Sequence, residues 1–207
     1  MDYGFAPNPF HGICTLACCK SQTRRVATLG DIIVGTTSPT NSVPKIRYIM
    51  RVTGVTSFQN YWESECFESK KVVPRGGEML RNGDNIYHKC EVSGEWLQEE
   101  SRHSNGKNQT NFKHRDIDTG VDRVLLSTDF VYFGINAIDI PMEFRHFADN
   151  CDLFGDQKPI DLVAITRFGK GYRSHKKICE IAYIRAFEVW FKSLGNGIKG
   201  LPSNWSI

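Results

Sequence analysis

Residues 4–35, GFAPNPFHGICTLACCKSQTRRVATLGDIIVG, bring reactive thiols, turn residues, paired arginines and a strand entry closer together than any other part of the chain. Pro7 and Pro9 fix φ and restrict the residues before them. With Phe5 and Phe10 as apolar anchors they predict a stiff turn that leaves the Asn8 amide free to bond. Cys14, Thr15, Cys18, Cys19, Lys20, Arg24 and Arg25 follow, a set of thiols, a hydroxyl and three cations able to converge on an anionic, hydrogen-bonding ligand. Gly30 and Asp31 then turn the chain into Ile32-Ile33-Val34, which reads as a short buried strand.

Downstream, residues 45–52 alternate. Ile46, Tyr48, Met50 and Val52 share one face and Lys45, Arg47 and Arg51 the other with Ile49, which predicts a strand with a basic, solvated outer face. Phe58, Tyr61, Trp62 and Cys66 recur at helical spacing behind Ser57, a capping residue, and predict a helix over 57–67 whose aromatic stripe faces the core. From 74 to 120 no period is sustained, so this stretch reads as a polar, loop-rich insertion; Asp84 to His88 and Trp96 to Gln98 are its locally ordered pieces. Strands are expected at 124–127, 130–133, 137–140 and 161–165. The last runs into Arg167-Phe168-Gly169-Lys170-Gly171-Tyr172-Arg173, a glycine-rich basic turn. A helix is predicted from Ser174 to 194, with Ile178, Ile181, Ala182, Val189 and Phe191 inward and Glu188 and Lys192 paired in solvent. The 197–205 tail is expected on the surface, anchored by Trp205.

The chain has 207 residues, 40% hydrophobic and 12% aromatic, enough for an ordinary packed core, and its net charge of +3 is too small to imply a nucleic-acid coat. Seven cysteines is an odd number and no signal sequence opens the chain, so reduced thiols in a cytoplasmic compartment are expected. No apolar run approaches the roughly 18 residues of a membrane span.

For chemistry, Cys14, Cys18 and Cys19 form a C-x3-C-C cluster, but no second pair follows at zinc-ligand spacing, so no metal is expected. Cys14 is the candidate nucleophile, because Lys20, Arg24 and Arg25 are near in sequence and positive charge favours the thiolate; burial as an inert core residue is the rival reading. Phosphate binding has two candidate sources: the Lys20, Arg24 and Arg25 group, and Lys170 with Arg173 among glycines ahead of a helix. Trp96 and Tyr87 are candidates for stacking on a base, with core packing as the alternative.

The segments GFAPNPF, CTLACCK, TRR and GDIIVGTTS, and after them SFQNYW, GDNIYH, the W-L-Q and S-R-H-S pieces, VLLSTDFVYFG, FGKGYR and GLPSNW, occur in an order that resembles the nucleotide modification associated domain family, type 2, over nearly the whole chain. The resemblance implies a bacterial or phage protein working beside systems that modify DNA bases. It singles out Asn8, Cys14, Thr15, Lys20, Arg25, Asp31, His88, Trp96, Ser101 and His103. Ser21 stands where the family usually has proline. Members usually carry a strand ahead of the first segment, so a truncated start is expected. The turn, the Gly-Asp strand entry and the aromatic helix also look like the PUA, ASCH and EVE group of base-reading barrels.

The expected fold is therefore one α+β domain over 1–207, with a mixed or barrel-like sheet, two packed helices and a long polar insertion. A module that binds or modifies a nucleotide or modified DNA base would use a pocket between the 4–25 segment and the 84–104 loop. Lys20, Arg24, Arg25, Lys170 and Arg173 would hold phosphates, while Asn8, Thr15, His88, Trp96 and Ser101 would contact the rest. A cysteine-dependent transferase or hydrolase would use Cys14, with Asp31 or His103 as acid or base; no cofactor is indicated. A non-catalytic partner of a DNA-modification enzyme is the third expectation.

Overall fold

The computed structural model describes residues 2–38, 43–145, 160–163 and 176–205. Its strands in chain order are β1 (Cys14–Leu16), β2 (Ile32–Thr36), β3 (Lys45–Arg51), β4 (Gly54–Thr56), β5 (Tyr87–Lys89), β6 (Trp96–Gln98), β7 (Val124–Ser127), β8 (Asp129–Tyr132), β9 (Ile138–Asp139) and β10 (Gly197–Ile198). Its helices are α1 (Ser21–Val26), α2 (Phe58–Glu63), α3 (Glu78–Arg81), α4 (Phe112–Thr119) and α5 (Ile181–Ser193).

The alternating apolar stretches become the centres of two sheets. β3 lies between β2 and β8, antiparallel to both, with β9 on its N-terminal end and β10 parallel to β8. β7 lies between β1 and β4, antiparallel to both. Only Thr128 separates β7 from β8, and only Val52 and Thr53 separate β3 from β4. Both chains therefore cross between the sheets together, where the Thr128 N–H donates to Thr53 Oγ1. The expected barrel-like closure is not what forms. Among the described residues the strands make two open sheets and a separate β5–β6 hairpin, because edge strands of three residues carry too few ladder bonds to close a barrel.

One face of the larger sheet buries Ile46, Ile49 and Val131 against Phe144, Leu162 and the Tyr183, Phe187 and Phe191 stripe of α5. This corrects the predicted helix in two respects. Residues 176–180 are not helical, so the element begins at Ile181. Its buried stripe is aromatic, while Ile181 and Val189 are exposed, since the larger rings remove more apolar surface from water. The sheet's basic face is solvated only in part: Lys45 is exposed, but Arg51 bonds Asp129 and Glu188, so Glu188 pairs across to β3 rather than with Lys192. The predicted 57–67 helix ends at Glu63 and continues as a 3-10 turn over Glu65–Lys70, with Ser57 capping as expected. Leu162 and Val163, expected in a strand, are helical. The glycine-rich turn bearing Lys170 and Arg173 lies outside the described residues.

Residues 82–87 do not drape over one end as a polar insertion would; all six are buried, and Ile86 and Tyr87 pack with Phe5, Ala17, Cys18, Phe58, Tyr61 and Val124. The two ends of the chain meet. The Asn204 N–H donates to Asp2 O, Trp205 Nε1 donates to Tyr3 O, and the Trp205 ring stacks on Phe10. The tail is fixed to β8 at Gly134, whose φ is +54° and where a Cβ would stand 2.1 Å from Leu201 O. Gly134→Ala should therefore lower stability by about 1–3 kcal/mol, the cost of overpacking plus a left-handed non-glycine residue, read as a shifted denaturant midpoint.

Candidate functional site

β1 leads into Ala17 and Cys18, both buried, and the next two residues take left-handed backbone, Cys19 at φ 59° and Lys20 at φ 45°. Such consecutive non-glycine residues cost roughly 1–3 kcal/mol each and persist only where their surroundings hold them. Here the Cys19 N–H donates to Asp118 Oδ1 at 2.9 Å, and Cys19 O accepts from Arg24 Nε at 3.0 Å. The turn leaves Cys19 half-buried at the surface and Cys18 inside.

Cys19 Sγ lies 3.2 Å from His103 Nε2. His103 Nδ1 lies 2.8 Å from Asp118 Oδ2, and a carboxylate oxygen there calls for a proton on Nδ1, leaving Nε2 to face the thiol. Asp118 sits in the last turn of α4, where the helix dipole opposes a carboxylate. It is held there by the Tyr87 hydroxyl donating to Oδ2 and by Arg24 Nη2 at 3.5 Å from Oδ1. Gln98 Nε2 donates to His103 O and to Tyr87 Oη, and the Phe5 ring meets the imidazole edge to face. Thiol, imidazole and carboxylate thus stand in hydrogen-bonded series, the order of groups that nucleophilic catalysis by cysteine requires. Burial pushes the His103 imidazole down, but the hydrogen bonds to Asp118 and Cys19 outweigh it and hold the group at about 9.

The other thiols of the cluster differ. Cys14 lies in the core beside Tyr48 and Met50, and burial pushes its thiol up to about 12 against the pull of Lys70. Cys18 is pushed well up by burial, and by Asp118 and Asp84. Arg24 is wholly buried and spends its side-chain donors on Cys19 O, Val121 O, Arg123 O and Asp118, so it holds the turn and has none for phosphate. Lys20 and Arg25 are exposed.

A second buried network joins the same segments. Thr15 Oγ1 and Tyr61 Oη donate to the two Asp84 oxygens, Asn8 Nδ2 donates to Asn82 O, and Lys70 Nζ donates to Asn8 O, Asn8 Oδ1 and Ile13 O. Asn8 and Thr15 are therefore enclosed structural groups. Asp31 closes its own turn by accepting from Thr28, His88 pairs with Glu99 and stacks on Trp62, and Trp96 packs on Phe58. Ser101 belongs to the turn that presents His103, whose N–H it accepts. The 4–25 and 84–104 segments do meet, through Thr15 with Asp84 and Cys19 with His103, while Trp96 and His88 stand apart from that contact. Sequence reasoning missed Cys19 as the facing thiol, and missed Asp118 entirely, which no motif or spacing marked.

Cys18, His103 and Asp118 also place one donor atom each within 4.8 Å of one another, a set that could hold a metal ion although no ligand spacing announced it. An ion there would take an imidazole nitrogen that already serves either Cys19 or Asp118.

A family model for nucleotide modification associated domain 2 matches residues 1–207, the entire chain. The chain belongs to that family. The family's description associates it with nucleotide modification. No curated protein and no solved structure matches the chain. No described helix is long and apolar enough to cross a membrane.

Two stability predictions follow from the buried charges of this family member. His103 binds its proton more tightly folded than unfolded, so its stabilisation is full below about pH 6.5 and is lost as the pH rises through about 9. The stability difference between wild type and His103→Gln, from denaturant titrations, should shrink across that window. Lys70→Met removes three hydrogen bonds of an enclosed ammonium, to Asn8 O, Asn8 Oδ1 and Ile13 O, and takes the neighbouring cation from buried Asp84, and should cost about 3 kcal/mol in the same measurement.

Proposed function

We propose that this protein is a cysteine-dependent enzyme of nucleotide or DNA-base modification, a transferase or hydrolase in which Cys19 is the nucleophile. The observation that carries the reading is the Cys19–His103–Asp118 series, with the thiol half-buried and the carboxylate enclosed. The proton shared by the Cys19–His103 pair rests on His103 Nε2, in keeping with an imidazole raised to about 9, and the Cys19 sulfur pair forms a bond to an electrophilic carbon of the substrate. The leaving group departs with its bonding pair and takes the proton back from His103. Water or an acceptor hydroxyl or amine then displaces the sulfur, which leaves with its bonding pair, and gives its proton to His103 Nε2, restoring the starting pair. Asp118 keeps the imidazole oriented and balances its charge. Of the cations expected at phosphate, Lys20 and Arg25 are exposed and close in sequence to Cys19.

Alkylation with iodoacetamide at pH 7, read by peptide mass mapping, tests this. Cys19 should react at least about tenfold faster than the exposed Cys66 and Cys179, and His103→Ala should remove that advantage. Cys90, whose thiol is lowered by hydrogen bonds from Ser93, should react equally in both proteins and serves as the internal standard. Equal rates at Cys19, Cys66 and Cys179 would defeat the reading. The second reading, a structural metal site at Cys18, His103 and Asp118, would appear as one equivalent of dialysis-resistant zinc together with an unreactive Cys19.

A further inference from the structure

We propose that Arg102 is the receptor for the phosphate of the nucleotide substrate, an inference that rests on Cys19 being the reacting thiol. Arg102 is the residue before His103, and its guanidinium is oriented from two sides. Nε donates to Asn82 Oδ1 at 2.7 Å, and the planar head lies 3.5 Å from the centroid of the Tyr3 ring. Both supports are themselves fixed. Asn82 is wholly buried with Nδ2 donated to Glu78, and the Tyr3 carbonyl accepts from Trp205 Nε1.

What Arg102 lacks is a counter-charge. Arg24, Arg47, Arg51, Arg81 and Arg115 each have a carboxylate within ion-pair distance, whereas the exposed Arg102, like Arg25, Arg75, Arg123, Arg145 and Arg185, has none among the described residues; of these six, Arg102 alone is seated over an aromatic ring. Its Nη1 and Nη2 donate no hydrogen bond to any described residue, so the fork that matches a phosphate bidentately is left open. Ordering a guanidinium costs side-chain entropy, and here no ion pair within the protein offsets it; the group is preorganised for an anion from outside. Its place fits the chemistry. Tyr3 supports the Arg102 head and Phe5 supports the His103 ring, so anion receptor and proton carrier stand on one short segment. Lys20 and Arg25 carry charge but show no such fixed side-chain geometry.

Iodoacetate and iodoacetamide differ in one negative charge at similar size, so their rate ratio at Cys19 reads an adjacent anion receptor. Arg102→Gln should lower the iodoacetate to iodoacetamide ratio about tenfold, the worth of one charge-assisted bond, with the iodoacetamide rate unchanged. Inorganic pyrophosphate should slow iodoacetate in wild type and not in the variant. An unchanged ratio overturns the assignment, as does a ratio that falls in Lys20→Gln instead. If Cys19 proves no more reactive than Cys66, the nucleophile reading fails and calorimetric titration with pyrophosphate decides Arg102 by itself. Heat of binding in wild type that disappears in Arg102→Gln supports it, and equal binding in both, or none in either, overturns it.

Discussion

A guanidinium without access to water needs an acceptor for every N–H, and at Arg24 those acceptors come from three places in the chain. Its own turn supplies Cys19 O, the end of α4 supplies Asp118, and the approach to β7 supplies Val121 O and Arg123 O. Burial pulls the Arg24 charge down and Asp118 pulls it back, which is the balance expected of an enclosed ion pair: weak as a source of net stability, strict about geometry. Because the pair fixes both the Cys19 carbonyl and the carboxylate behind His103, the spacing of thiol and imidazole is set by an interaction that touches neither reacting atom.

The second enclosed charge group works on the same pair of segments from the other side. Lys70, held at about 8 by burial, and Asp84, raised by burial, stand within one network with Asn8, Thr15 and Tyr61. The stiff turn of the first segment is thereby bolted to residues 82–85, and β1 carries that rigidity forward to the Cys18–Cys19 corner. Polar residues that look loop-like in the middle of the chain are inside because each has found a partner there.

The parts of the fold that the sequence discloses are those governed by period and punctuation. β3 shows itself by alternation, β7 and β8 by short apolar runs set off by Thr128-Asp129 and Gly134, β2 by its Gly-Asp entry, and α2 by Ser57 and the Phe58–Tyr61 pair. The face of α5 was obscured because Ile181 and Val189 keep helical spacing as well as the aromatic stripe does, and only the opposing sheet chooses between them. At the site, proximity in sequence of Lys20, Arg24 and Arg25 pointed to Cys14, yet three thiols in C-x3-C-C look alike until backbone handedness turns one of them outward. His103 was singled out by the family resemblance, through the S-R-H-S piece. Asp118 was not, since its role is created by Arg24 across the fold and leaves no spacing behind.

The meeting of the two ends has a consequence for function at a distance. Trp205 holds the Tyr3 carbonyl and stacks on Phe10, and Tyr3 in turn lies under the Arg102 guanidinium. The turn over 202–205 is thus mechanically continuous, through Tyr3, with the Arg102 guanidinium. Loosening it would blur where that charge points while every group in the thiol–imidazole–carboxylate line stayed in register.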